Sequence, residues 1–185
     1  MMSDNDDINA SIAHVVLCCV AGQGIGRMHS KSFTHPGMHA NFFIHGILGF
    51  MHYQSGRFNK DFKSAYAISY AASKYLALPC LNADLYRGDA ALSTLHLASG
   101  LIPFALALGG KDDQNLGNLL IACNVVSLCV YSHKNERQWG WYTAGAGVLA
   151  YFVTTTVAKK ITYPLCLALM DYCAYRVFHI HFTAA

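Results

Sequence analysis

Long apolar stretches separated by short charged connections dominate this 185-residue chain. A helix rises about 1.5 Å per residue, so roughly 20 apolar residues cross a hydrocarbon core about 30 Å thick. Seven stretches approach that length, and no connection between them is long enough to fold as a separate domain. We therefore predict an all-α transmembrane bundle over residues 1–185, with about seven spans. The predicted spans are 8–26, 36–56, 64–83, 90–110, 115–133, 139–158 and 161–182.

The low charge content of the chain favours a membrane setting. Charged residues make up 12% of the sequence and hydrophobic residues 54%, whereas a typical soluble domain is about 25% charged. The mean hydropathy is only +0.29, because tyrosine, histidine, serine and glycine are frequent, and membrane bundles accept these residues at helix contacts. The net charge is +3 with no basic tract, which argues against nucleic acid as a partner.

The third predicted span carries a charge near its middle. This charge is Lys74, and a central lysine in a membrane costs about 2.5–3.5 kcal/mol. The residues that share its helix face are all polar, namely Tyr66, Ser69, Tyr70 and Ser73. We expect that face to point into the bundle. There it forms either a polar cavity or lipid-headgroup site, or an internal ion pair that fixes helix packing. Asp171 of the seventh span is the natural partner for Lys74, since two separate buried charges would cost more than a pair.

Three further charged residues are candidates for contact with lipid or with a protein partner. Asp84 and Arg87 belong to the connection Asp84–Asp89, which either binds a headgroup or partner or forms a solvated turn. Arg176 lies near the end of the seventh span, where a long side chain can extend to the headgroups.

The chain contains ten histidines, and two spacings among them are similar to the histidine boxes of membrane di-iron enzymes. A separation of four residues, as between His35 and His39, places two imidazoles on one helix face. The His-His box that those enzymes carry on another helix is missing. We therefore expect no metal and no cofactor. The alternative is an iron site formed by His35, His39, His179 and His181.

Several short segments from the second span onward carry a family resemblance. They are Gly49, the connection Asp84–Asp89, the apolar run that ends in Gly109-Gly110, the glycine-rich sixth span, and Tyr172-Cys173-Ala174-Tyr175-Arg176. On these residues the chain resembles a poorly characterised family of small multispanning eukaryotic transmembrane proteins. The resemblance implies a multispanning topology and an endomembrane setting, but no activity.

The sequence favours a non-catalytic subunit of a larger membrane complex over an enzyme. Short connections, small-residue helix faces and an incomplete catalytic set point to partners within the bilayer. We expect assistance in lipid handling or lipid transfer at the endoplasmic reticulum or another endomembrane, with membrane lipids and a larger membrane protein as partners. The alternatives are a histidine-dependent di-iron enzyme that modifies lipids, and a small transporter or channel lined by Lys74 and Asp171.

Overall fold

The computed structural model describes residues 7–26, 34, 37–154 and 159–179, and every regular element in these ranges is helical. The all-α prediction is therefore confirmed. In chain order the helices are α1 (Ile8–Gly26), α2 (Gly37–His52), α3 (Ser55–Phe58), α4 (Lys63–Tyr75), α5 (Ala77–Leu85), α6 (Ala90–Leu108), α7 (Gln114–Lys134), α8 (Gln138–Val148) and α9 (Lys159–His179), and a π-helical turn, Leu149–Val153, continues α8.

Helices α2 and α9 form the centre of the bundle. Helix α2 packs against α1, α4, α5 and α9, while α9 also packs against α1, α8 and the π-helical turn. Helices α5, α6 and α7 pack against one another, and α7 also packs against α8. One continuous apolar core joins these helices, with fully buried side chains that include Leu17, Phe42, Leu78, Leu128 and Leu167.

The prediction of about seven spans is not supported in the described part of the chain. There, three helices are long and apolar enough to cross a membrane, namely α1, α6 and α7. Helix α2 has only 16 residues, which span about 24 Å. The predicted third span is divided at Leu76 into α4 and α5, and α8 has 11 residues before its π-helical turn. Helix α9 has 21 residues but carries Lys159, Lys160, Asp171 and Arg176.

Pro79 explains the break between α4 and α5. Proline has no N–H group, so the carbonyl four residues earlier, that of Tyr75, loses its helical hydrogen bond. Gly100 of α6 lies directly against this carbonyl, because a Cβ atom added to the glycine would stand only 2.7 Å from the Tyr75 oxygen. The absence of a side chain at Gly100 therefore lets α6 approach the break closely.

Helices α6 and α7 begin at aspartate caps and present apolar outer faces. Asp89 and Asp113 each accept two N–H hydrogen bonds, at 3.0 and 3.1 Å, from the second and third residues of the helix that follows. Such caps satisfy donors that have no partner within the helix. Large apolar side chains along both helices are more than half exposed, and they include Leu95, Leu101, Ile102, Leu108, Leu119 and Val126. An outer surface of this kind suits contact with lipid.

The start of α1 forms polar contacts with α9 and with the two residues that follow α2. The Asp7 carboxylate pairs with the Lys160 ammonium, and this hydrogen bond holds the pKa of Asp7 below its ordinary value. The Asp7 backbone N–H donates to the Tyr53 carbonyl at 3.1 Å. Gln54 Nε2 donates to Ser11 Oγ at 2.8 Å. Helix α1 is therefore anchored to the bundle by polar contacts as well as by its apolar core residues.

Candidate functional site

A polar recess of about 400 Å³ lies where α4, α7, α9 and the π-helical turn meet. Its position follows from the fold, because the α4–α5 break, the start of α7 and the start of α9 come together at one level of the bundle. The side chains that give the recess its polar character are Tyr70, Lys74, Tyr75, Asp112, Asn118 and Lys159.

Two lysines give the recess an excess of positive charge. Lys74 Nζ donates to Tyr75 Oη at 3.1 Å, and Tyr75 Oη donates in turn to Asp112 Oδ1 at 2.7 Å. Lys159 Nζ lies 4.4 Å from the centroid of the Tyr70 ring, a cation–π contact. Within the described ranges, neither ammonium has a carboxylate oxygen within 4.0 Å. The closest partners of the two ammonium groups are therefore the tyrosines Tyr75 and Tyr70.

The structure corrects the predicted pair between Lys74 and Asp171. Asp171 is fully buried and its Oδ1 atom lies 2.8 Å from Nδ1 of His39, which is also buried. Lys74 instead faces the recess at the α4–α5 break. The difference arises because α2 packs against α9, which brings His39 into contact with the Asp171 carboxyl group.

The predicted polar face of α4 is divided between two environments. Tyr70 and Lys74 line the recess. Ser73 is fully buried; its Oγ donates to the Tyr70 carbonyl at 2.9 Å and lies 3.0 Å from the Tyr163 hydroxyl. Tyr66 packs among aromatic rings of α1 and α2. Two residues of the predicted face thus line the recess, and the others pack against neighbouring helices.

Tyr66 is surrounded by imidazoles. Its ring stacks on His52, with centroids 4.7 Å apart, and on His45, with centroids 5.2 Å apart. His14 packs edge-on against His45 at 5.3 Å. The Nε2 atoms of His14 and His45 are buried, and neither has a hydrogen-bond partner among the described atoms. These histidines therefore act in the fold mainly as aromatic packing groups between α1, α2 and α4.

The alternative iron site falls largely outside the described residues. His35 and His181 lie outside them, and the side chain of His179 is not described. His39 is described, and its ring is hydrogen-bonded to Asp171. In the described part of the chain, no group of three or more His, Cys, Asp or Glu side chains is arranged to hold a metal ion.

The other predicted contact residues lie at different places. Asp84 belongs to the last turn of α5 and is buried, and its carboxylate accepts hydrogen bonds from Thr34 N at 2.7 Å and Thr34 Oγ1 at 3.1 Å. Arg87 is exposed in the connection that follows. Arg176 is also exposed, and its guanidinium lies 5.0 Å from the Trp139 ring and 5.8 Å from the Tyr172 ring. None of the three belongs to the recess.

A network of hydrogen-bonded side chains joins α5, α6 and α7. The sequence pattern did not reveal it. Asn82 Nδ2 donates to Asn124 Oδ1 at 3.0 Å, and Asn124 Nδ2 donates to Ser99 Oγ at 2.8 Å. His96 Nδ1 lies 2.9 Å from Asn124 Oδ1, and its Nε2 lies 3.1 Å from Ser127 Oγ. Asn124 thus connects all three helices, two of which are candidate membrane spans.

Replacing Asn124 should weaken this three-helix contact. We expect Asn124→Leu to lower the free energy of unfolding in detergent by about 1 kcal/mol, the scale of polar helix contacts in membrane proteins. Asn115→Leu is the matched control, because Asn115 is exposed in the first turn of the same helix. Equal unfolding midpoints for the two variants would contradict a stabilising role for the network.

Together these features define an all-α bundle whose described part contains three helices of membrane-spanning length and apolarity. The chain belongs to the family described as Domain of unknown function (DUF4791), which matches residues 37–184. No curated protein and no solved structure matches the chain. Membership agrees with the resemblance to a poorly characterised family that the sequence segments carry.

Proposed function

We propose that this protein is a non-catalytic, membrane-embedded subunit of a larger complex and assists lipid handling at the endoplasmic reticulum or another endomembrane. The recess is the observation that carries this proposal. It offers a cavity of about 400 Å³ with cationic and phenolic side chains, within the size range of small-molecule sites.

The position of the recess favours a lipid ligand. Gln114 and Asn118 both line it, and they belong to the first turns of α7, a candidate membrane span. The end of a spanning helix lies at the depth of the lipid headgroups. The apolar outer faces of α6 and α7 would then contact the acyl chains beside the recess.

The proposal of a subunit role rests on the short connections between the helices. Among the connections that lie wholly within the described ranges, the longest is 109–113, between α6 and α7. Such a chain presents helices rather than loops to its surroundings. Helices in a bilayer associate through close packing and shared hydrogen bonds, which makes another membrane protein the natural partner.

Purification of the native protein in a mild detergent tests the proposed function. We expect mass spectrometry to find a larger membrane protein in constant ratio to this chain, together with bound lipids. The control is the same purification after the detergent is changed to one that separates membrane complexes. A protein that is recovered alone and without lipid from both preparations would overturn the proposal.

A further inference from the structure

The two lysines of the recess define the chemistry of its ligand more closely. We infer that Lys74 and Lys159 bind the phosphate of an anionic phosphate ester, with a lipid headgroup as the expected source. This inference rests on the proposed function, since it names the ligand of the same site. It adds Lys159 and Asp112, which the sequence pattern alone did not select.

The charge of the recess favours an anionic ligand. Two ammonium groups and one carboxylate, that of Asp112, line the same cavity. The carboxylate is engaged by the Tyr75 hydroxyl at 2.7 Å rather than by either lysine. Like charges that share a partly desolvated cavity repel each other, and a bound anion relieves this repulsion. The recess therefore favours a ligand with a net negative charge.

Each of the two ammonium groups lies beside a tyrosine ring. Lys74 Nζ lies 4.8 Å from the Tyr75 ring centroid and also donates to that phenol. Lys159 Nζ lies over the Tyr70 ring. An ammonium group has three donors, so each lysine retains donors for a ligand while its aromatic neighbour holds it in place. Phosphate oxygens are strong acceptors for such charged donors.

The two lysines of the recess belong to different helices. Lys74 is half-buried on α4 beside the break caused by Pro79, whereas Lys159 is exposed as the first residue of α9. The two ammonium groups thus approach the cavity from different helices. A ligand that binds both would join α4 to α9 at this end of the bundle and should raise the stability of the fold.

Lipid retention in mixed micelles tests the inference. The wild-type protein is incubated with phosphatidic acid and phosphatidylcholine in equal amounts, and bound lipids are counted by native mass spectrometry. We expect phosphatidic acid to be preferred, and each of Lys74→Gln and Lys159→Gln to reduce that preference about fivefold, the scale of one lysine near an anionic membrane surface.

Lys60→Gln serves as the control, because Lys60 is an exposed lysine of the connection between α3 and α4 and its replacement removes the same charge. Because Lys159 is exposed, Lys159→Gln should fold normally and keep the helical circular dichroism of the wild type. A loss of lipid preference in this variant therefore cannot be attributed to misfolding. Unchanged lipid preference in Lys159→Gln, or an equal loss in Lys60→Gln, would overturn the inference.

A second experiment distinguishes a lipid headgroup from a soluble phosphate ester as the ligand. Thermal unfolding is measured in mixed micelles of detergent and phosphatidylcholine, with added glycerol 3-phosphate or with added phosphatidic acid. Stabilisation by the lipid alone supports a headgroup site, whereas equal stabilisation by the soluble ester supports the phosphate site but assigns it to a soluble ligand. If neither probe stabilises the wild-type protein, the site does not bind phosphate. This result is independent of whether a protein partner co-purifies, so the two proposals can fail separately.

Discussion

Gly49→Ala should destabilise the protein strongly, because the added methyl group has no space. A Cβ atom at this position would overlap the imidazole of His14, which is fully buried and whose Nδ1 is hydrogen-bonded to the Ala10 carbonyl at 2.9 Å. The rings of His45, Tyr53 and Tyr66 pack around His14 and block its rotation. We expect a loss of about 3 kcal/mol, as for overpacking in a tight core. Chemical unfolding in detergent, followed by circular dichroism, measures it.

Gly145→Ala is the matched control for this substitution. Gly145 also lies within a helix, but it is exposed, and an added Cβ atom would meet no other atom within 4 Å. Alanine favours a helix by about 1 kcal/mol relative to glycine, so this variant should be unchanged or slightly more stable. If both variants lost stability alike, the close contact between α1 and α2 at Gly49 would not exist.

The second large effect is expected at the pair formed by His39 and Asp171. His39→Leu removes the ring that contacts Asp171 Oδ1, while Oδ2 is already buried without a partner among the described atoms. A buried carboxyl group deprived of its partner destabilises a protein by about 3–5 kcal/mol. We expect a loss of this size in the free energy of unfolding. His133→Leu, at an exposed position of α7, should have little effect.

A second substitution distinguishes loss of the pair from loss of packing. Asp171→Asn keeps the shape of the side chain but removes its ability to ionise. The double variant His39→Leu/Asp171→Asn should therefore recover at least half of the stability lost in His39→Leu. If the double variant is no more stable than His39→Leu alone, the histidine contributes through its volume against Gly24 and not through the carboxyl group.

The all-α fold could be predicted from the sequence because the apolar stretches are long and contain few charges. Three predicted spans, 8–26, 90–110 and 115–133, correspond closely to α1, α6 and α7. Two other predicted spans differ from the structure for local reasons. Pro79 divides one of them at Leu76, and a π-helical turn interrupts another after Val148. Hydropathy averages over such interruptions and does not detect them.

The candidate site could be predicted only in part. The helical periodicity of α4 places Tyr70 and Lys74 on one polar face, and both residues line the recess. It could not show that Ser73 and Tyr66 pack against neighbouring helices instead, because this depends on which helices lie beside α4. Asp112 and Lys159 are distant in sequence and lie outside the predicted spans. Only the fold places them opposite Lys74.

The partner of Asp171 could also not be predicted from the sequence alone. Asp171 and Lys74 are the two charges nearest to the centres of predicted spans, and pairing them is the simplest way to compensate both. The spacing of His39 from His35 raised a metal site only as an alternative, and no spacing indicated a carboxyl partner for His39. The packing of α2 against α9 gives Asp171 a histidine partner and leaves Lys74 at the recess.

Helix α1 sets the boundary of the smallest fragment that should fold independently. The family match starts at residue 37, whereas α1 ends at Gly26 and therefore precedes the matched segment. Yet α1 provides His14 to the aromatic cluster and packs Gly24 against the His39 ring. A fragment trimmed to the matched residues would leave one side of α2 and α9 uncovered. We therefore expect the cooperative folding unit to be larger than the region of family similarity, and experiments on the isolated domain should retain the first helix.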